Sequence, residues 1–116
     1  MATPPVRLSP EEIGGICKAV LRCLPTQVLS ISLFGSRTDL EKRGGDIDLW
    51  IELDQPCEDP GLVARKVRIE IEDEIGEQKV DLKISGPVEK MVDPQLKAFY
   101  QIISPAKVDL WNRNPT

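Results

Sequence analysis

The sequence predicts an α/β (α+β) domain in which helices pack on a small mixed β-sheet. The first observation is length, since 116 residues provide one domain with one hydrophobic core and too little chain for two. The second is periodicity, because apolar residues recur at helical spacing in some segments and alternate with polar residues in others. We therefore expect a single domain over 1–116, with termini that fray over about 1–7 and 112–116.

Three helices are predicted from one shared start signal, a capping side chain followed by proline. The signal occurs at Ser9-Pro10, Asp59-Pro60 and Asp93-Pro94. The predicted helices are 10–24, 60–75 and 94–103. Ser9 also has a glutamate three residues later, which predicts a capping box. The segment around 67–71 also alternates like a strand, but the length and the Asp-Pro start of 60–75 favour helix.

Strands are predicted where β-prone apolar residues run together or alternate with polar ones. The predicted strands are 28–34, 46–53 and 79–84, and a short last strand is compatible with 108–111. Between the first two strands, 36–43 is expected to form a short helix. This order of elements predicts a mixed sheet covered by helices.

Composition excludes several kinds of chemistry. The chain has no histidine, so no imidazole base and no histidine-liganded zinc are available. Its net charge of −4 argues against sequence-blind nucleic-acid binding over the whole surface. The three cysteines have no CxxC spacing, and the start lacks the pattern of a secretion signal. We expect reduced thiols, a cytoplasmic location and no membrane span.

The candidate chemistry lies in three aspartates. Asp46 and Asp48 stand two apart in a strand, so both carboxylates point to the face opposite the buried Ile47 and Leu49. Asp81 occupies the matching position of the third strand, and it joins them if the two strands pair. Three carboxylates without histidine suit Mg²⁺ and a two-metal phosphoryl displacement.

A glycine-serine turn precedes these aspartates. Gly35 ends the first strand, where a glycine allows backbone N–H groups to approach a ligand closely. Ser36 begins the predicted short helix, whose N-terminus would bind phosphate. Ser36 could also serve only as the cap of that helix.

The order of Gly35-Ser36, Asp46-x-Asp48 and Asp81 resembles the DNA-polymerase-β-type nucleotidyltransferase superfamily. The length resembles its minimal nucleotidyltransferases (MNT), and the resemblance spans almost the whole chain. It implies a polymerase-β-like nucleotidyltransferase fold. It also implies that Asp46 and Asp48 bind two Mg²⁺ ions, and that Asp81 completes the catalytic metal site and helps to activate the attacking hydroxyl.

The same resemblance assigns the nucleotide and the partner. Gly35 and Ser36 would hold the β- and γ-phosphates, and Arg37 could contact phosphate. The implied reaction moves a nucleoside monophosphate, expected to be AMP from ATP rather than another NTP, to an acceptor hydroxyl. Minimal nucleotidyltransferases often act as antitoxins beside a HEPN-domain ribonuclease toxin that they AMPylate, so such a toxin is the expected partner.

Two other functions stay open from the sequence. The chain could be a non-catalytic module that binds a nucleotide or a toxin, although the three intact aspartates speak against it. It could also be a nucleotidyltransferase that acts on tRNA, which the acidic balance disfavours. Asp109 lies in another Val-Asp-Leu triplet, but no phosphate-binding pattern precedes it, so we interpret it as structural.

Overall fold

The computed structural model describes residues 6–114, which form three helices and a four-stranded sheet. The helices are α1 (Pro10–Cys23), α2 (Pro60–Ile75) and α3 (Pro94–Ile103). The strands are β1 (Val28–Phe34), β2 (Ile47–Leu53), β3 (Val80–Ser85) and β4 (Val108–Asn112). Their order in the sheet is β3-β2-β1-β4. The β2–β3 pair is parallel and the other two pairs are antiparallel, which confirms the predicted mixed sheet.

The helices begin at the predicted capping residues. The Ser9 hydroxyl accepts from the Glu12 N–H at 3.0 Å, and the Glu12 carboxylate accepts from the Ser9 N–H at 2.9 Å, which completes the capping box. Asp59 and Asp93 also accept N–H groups from the first turns of their helices. The helix prediction for 60–75 is confirmed.

The strand-like alternative within α2 is wrong because its apolar residues follow the helical period. Val67 and Ile71, four residues apart, are fully buried in the core. Ile69, which a strand would have placed on the same face, is 52% exposed. Spacing by four brings side chains to one face of a helix, whereas spacing by two does not.

The core lies between one face of the sheet and the pair α1 and α2. Its fully buried side chains are Ile16, Ala19, Val20, Ile31, Leu33, Ile47, Leu49, Ile51, Val67 and Ile71. The residues of β2 alternate, so Asp48, Trp50 and Glu52 face the other side. There α3 covers part of the sheet, and the Trp50 ring lies 6.3 Å from Phe99 and 5.0 Å from Tyr100.

The helix predicted over 36–43 is wrong in extent. The chain forms a short 3-10 turn at Gly35–Thr38, which we call the Gly35 turn, and then an irregular loop over 39–46. The turn begins after Phe34 without a side-chain cap, so the alternative role of Ser36 as the helix cap is also wrong. Just after the predicted range, Gly44 and Gly45 have positive φ, at 62° and 92°, so the chain reaches β2 in a non-helical conformation.

The terminal segments are ordered as far as the structure describes them. Val6 and Leu8 are buried in the core, and Arg113 donates its N–H to Leu29 beyond the end of β4. Residues 1–5 and 115–116 lie outside the described range, so the fraying expected there stays a prediction. Among the helices that the structure describes, none is long and apolar enough to cross a membrane.

Candidate active site

Two of the predicted aspartates lie side by side on neighbouring strands, one central and one at the edge of the sheet. Asp48 on β2 and Asp81 on β3 are register partners in the parallel pair. Strand alternation turns both side chains to the same face, away from α1 and α2. Asp81 is exposed and Asp48 is half-buried. The sheet therefore brings together the carboxylates of two segments that are far apart in sequence.

Asp46 precedes β2 and lies at the same edge of the site. Its carboxylate is 3.5 Å from the Nζ of Lys79, whose side chain is 80% exposed. An ion pair this exposed is weak, because water and salt screen it. Asp46 is therefore free to exchange this partner for a ligand.

Negative charge accumulates at Asp48. Burial raises the pKa of this carboxyl above its usual value, and the neighbouring charges of Asp81 and Asp46 raise it further. Lys83 and Lys79 act in the opposite direction without cancelling the effect. Like charges held this close favour a bound cation.

Gly35 forms the wall of the site next to Asp48. Its φ of +78° lies in the left-handed region that favours glycine. A Cβ atom at this position would also collide with the Asp48 carboxylate. The backbone of the Gly35 turn therefore lies directly against an acidic side chain, an approach that only glycine permits.

A second glycine fits against the turn from the other side. A Cβ atom at Gly45 would collide with the hydroxyl of Ser36, and its φ is +92°. The Ser36 side chain thus lies against the backbone that leads into Asp46. The predicted phosphate-binding residues and the first predicted metal ligand are in this way held in one compact corner.

Arg37 reaches two backbone carbonyls. Its Nη1 donates to Arg7 at 2.8 Å and its Nε to Gly45 at 3.3 Å. A guanidinium has five N–H donors, so these bonds leave others for a phosphate.

Sequence reasoning missed Arg7. Its guanidinium donates to the carbonyls of Ser36, Asp39 and Gly44, at 3.1, 3.0 and 2.7 Å. A single arginine before a capping box carries no signal of its own in the sequence. Only the fold brings it to the Gly35 turn.

An open groove of about 900 Å³ extends from the Gly35 turn to the C-terminal half of α3. Its apolar lining residues include Phe34, Leu40, Phe99, Ile102, Ile103 and Ala106. Leu40 and Ile102 are 60% and 77% exposed at its rim. The groove gives the site an apolar side next to its acidic one.

Asp109 stays outside this cluster. Its carboxylate accepts from Ser32 at 2.7 Å, Lys107 at 3.0 Å and Asn112 at 3.1 Å. Burial raises the pKa of Asp109, but these hydrogen bonds outweigh it and leave the pKa below its usual value. The contacts support the structural interpretation of this residue.

The sequence model of one protein family, described as the nucleotidyltransferase domain, matches residues 15–108. The chain belongs to the nucleotidyltransferase domain family. The matched range begins inside α1 and ends at the start of β4, so it includes the Gly35 turn and all three aspartates. The resemblance stated from the motifs is confirmed at the level of the family, which makes the chain a nucleotidyltransferase. No curated protein sequence gives a significant match.

Solved structures of toxin–antitoxin complexes share the fold of this nucleotidyltransferase. One is the tri-AMPylated HEPN toxin of Shewanella oneidensis in complex with MNT antitoxin, with a TM-score of 0.57, 15% identity, and coverage of 87% of this chain and 70% of that chain. A mutant of the MntA–HpeT toxin–antitoxin gives 0.59 and 15%, with 88% and 74% covered. A toxin–antitoxin with AMP-PNP gives 0.59 and 16%, with the same coverage. The polymerase-β-like nucleotidyltransferase fold predicted from the sequence is confirmed.

The donor chemistry of this site fits Mg²⁺. Within residues 6–114, no three Asp, Glu or Cys side chains already form a metal-ligating group. Asp48 and Asp81 nevertheless face the same side in register, and the Asp46 carboxylate pairs with an exposed lysine. Carboxylate oxygens are the ligands that Mg²⁺ prefers.

Proposed function

We propose that this nucleotidyltransferase uses Mg²⁺ to transfer AMP from ATP to a hydroxyl group of a HEPN-type toxin, and so acts as an antitoxin. The observation that carries the proposal is the pairing of Asp48 with Asp81 beside the glycine backbone of Gly35. This arrangement places a carboxylate cluster next to a turn that can approach phosphate closely. A carboxylate cluster next to such a turn can accept a nucleoside triphosphate together with its metal ions.

In this proposal the residues of the site divide into those that bind phosphate and those that bind metal. Gly35 and Ser36 bind the β- and γ-phosphates, and Arg37 donates to phosphate with the N–H groups that its two carbonyl bonds leave free. Asp46, Asp48 and Asp81 would hold two Mg²⁺ ions. Bound Mg²⁺ supplies neutralisation of the phosphate charge and an in-line arrangement of the reacting oxygens.

The reaction is a nucleotidyl transfer, and it requires neither an oxidant nor a reductant. The acceptor oxygen forms a bond to the α-phosphorus, and the bond from that phosphorus to the bridging oxygen of the β-phosphate breaks. Pyrophosphate leaves, and Asp81 helps to take the proton of the acceptor hydroxyl. The groove beside the Gly35 turn has room for the nucleoside.

Two features support the partner and the location. The solved neighbours are toxin–antitoxin complexes, of which one contains a HEPN toxin carrying AMP groups and another contains AMP-PNP. The three cysteines are free thiols, as a reducing cytoplasm would keep them.

The test is transfer of label from α-labelled ATP with Mg²⁺ to a HEPN protein encoded beside this chain. We expect label on that protein with the wild type and with Asp73→Ala, which removes an exposed aspartate of α2, the helix on the opposite face of the sheet from Asp48 and Asp81. The double variant Asp46→Ala/Asp48→Ala should transfer none. Its folding is checked by circular dichroism.

Two other outcomes would overturn parts of the proposal. Label on tRNA instead of protein would replace the acceptor and keep the reaction. No label on either acceptor, despite measurable binding of ATP, would show a non-catalytic binding module. In that case the double variant should still neutralise the toxin by covering it.

A further inference from the structure

A reciprocal pair of arginines joins the segment before α1 to the Gly35 turn. The N–H of Arg7 donates to the carbonyl of Arg37 at 2.8 Å. In return, the Arg37 guanidinium donates to the carbonyl of Arg7 at 2.8 Å. Val6 and Leu8, on either side, are buried in the core, which fixes the backbone of Arg7. The segment 6–8 thus supplies a rigid base against which the turn is held.

The side chain of Arg7 forms hydrogen bonds along the loop that leads to the aspartates. Its three carbonyl acceptors belong to Ser36, Asp39 and Gly44, which lie 29 to 37 residues away in sequence. The first acceptor belongs to the Gly35 turn, and the last lies two residues before Asp46. One planar guanidinium therefore connects both ends of the loop, which the single point charge of a lysine cannot reproduce.

The end of the loop needs such a connection because its two glycines do not fix the shape of the backbone. Gly44 and Gly45 both have positive φ, and glycines have more conformations to lose than other residues. The local backbone bonds lie at the start of the loop, where the carbonyls of Ser36 and Asp39 also accept the N–H groups of Asp39 and Lys42. A loop left free would have to be ordered on binding, and that ordering weakens affinity.

We propose that Arg7 is a positioning residue for nucleotide binding, which orders the Gly35 turn and the 39–46 loop before the ligand arrives. This inference rests on the proposed function. Arg7 acts through Ser36 and Gly44 rather than through the phosphates or the reacting atoms.

The chain contains a matched control. Arg113 also donates to two backbone carbonyls, those of Thr26 at 2.6 Å and Val28 at 3.1 Å, and it pairs with Asp54 at 3.1 Å. These groups lie where β1 starts, at the opposite end of the strand from Gly35. Loss of Arg113 therefore removes a similar set of bonds without touching the loop.

The experiment compares Arg7→Lys with Arg113→Lys. The affinity for a non-hydrolysable ATP analogue with Mg²⁺ is measured by calorimetry, and amide hydrogen exchange is followed in the 39–46 loop. We expect the dissociation constant to rise about tenfold in Arg7→Lys alone, because the loop must then be ordered at the moment of binding. Exchange in the loop should accelerate in that variant alone, while both variants lose similar thermal stability.

A second variant tests the guanidinium itself. Arg7→Ala should bind the analogue weakly, and millimolar guanidinium chloride should restore part of the affinity. Equal affinity of Arg7→Lys and Arg113→Lys would overturn the inference and leave the proposed function standing. If the wild type binds no ATP analogue with Mg²⁺, the proposed function fails, and the inference fails with it.

Discussion

At Gly35 the backbone itself makes room for a carboxylate. Gly35 has a left-handed φ, and its Cα lies close to the carboxylate of Asp48. Any other residue would meet both obstacles at once, since a Cβ would be strained by the backbone and blocked by the carboxylate. The glycine therefore serves the site rather than the sheet, because β1 has already ended at Phe34.

We predict that Gly35→Ala destabilises the fold by about 1–3 kcal/mol, the range for a non-glycine residue in a strained conformation. It should also reduce AMP transfer by at least ~10-fold, because Asp48 or the turn must move away. Gly14→Ala is the control. Gly14 lies in α1 with open space around its Cβ position, so alanine should stabilise the helix by about 0.5–1 kcal/mol. Denaturant unfolding and the transfer assay measure both effects, and wild-type transfer by Gly35→Ala would contradict this view of the turn.

Among the elements, α1 has its start defined most completely. The reciprocal bonds of Ser9 and Glu12 satisfy two N–H groups that would otherwise lack partners. The hydrogen bond from the Ser9 backbone, with a second from the side chain of Gln78, holds the pKa of Glu12 below its usual value. Gln78 leads into β3, so this cap also connects α1 to the strand that carries Asp81.

The capping box predicts a pH dependence of stability. The pKa of Glu12 is lower in the folded than in the unfolded state, so its contribution is present above the unfolded pKa and is lost as pH falls through the folded pKa. We predict that Glu12→Gln lowers the free energy of unfolding by about 0.5–1 kcal/mol at pH 7. The difference should shrink in acid, below the folded pKa. Urea unfolding across pH checks this, and a difference that persists unchanged in strong acid would argue against the carboxylate as its source.

The sequence was sufficient to predict elements whose signals are local. The Ser9-Pro10, Asp59-Pro60 and Asp93-Pro94 pairs mark the first turns of all three helices, and the alternation of β2 shows which face is buried. The 39–46 loop could not be predicted in this way. Its carbonyls bond to Arg7, more than 25 residues earlier, and no local pattern reports a contact at that distance.

The sequence points to the residues of the candidate site, but it does not show how the fold brings them together. The sequence pattern predicts a shared face for Asp46 and Asp48, whereas Asp81 lies beside Asp48 only because β3 pairs with β2 in parallel. The helix α2 between these strands makes the parallel pairing possible, since such strands need a long crossover. The register that places Asp81 beside Asp48 follows from packing of the buried residues, which the sequence does not display.

At the scale of the whole molecule, one face of the sheet is apolar and buried, and the other carries charged side chains. One face forms the aliphatic core with α1 and α2, where Ile47, Leu49 and Ile51 of β2 are fully buried. The other face carries the carboxylates and is only partly covered by α3. In a protein with a net charge of −4, a half-buried Asp48 beside Asp81 opposes folding. We infer that the site keeps these charges for ligand binding at the expense of the free protein's stability.

This trade predicts opposite effects of one substitution with and without ligand. The pKa of Asp48 is raised in the folded state, so its contribution to stability is present below the unfolded pKa and lost as pH rises through the folded pKa. At pH 7, Asp48→Asn should therefore raise the stability of the free protein, by about 0.5 kcal/mol.

With ligand bound, the wild type should be more stable than Asp48→Asn. A saturating complex of ATP and Mg²⁺ at ~100 times its dissociation constant stabilises the wild type by about 2.7 kcal/mol, because it binds only the folded state. Asp48→Asn should lose most of this gain, since it removes a central carboxylate of the proposed metal site. Thermal unfolding of both proteins, with and without ATP and Mg²⁺, tests whether the order of their stabilities reverses. If the variant is less stable in the free state, the carboxylates do not repel one another enough to matter. If ligand stabilises both proteins equally, Asp48 does not hold the metal.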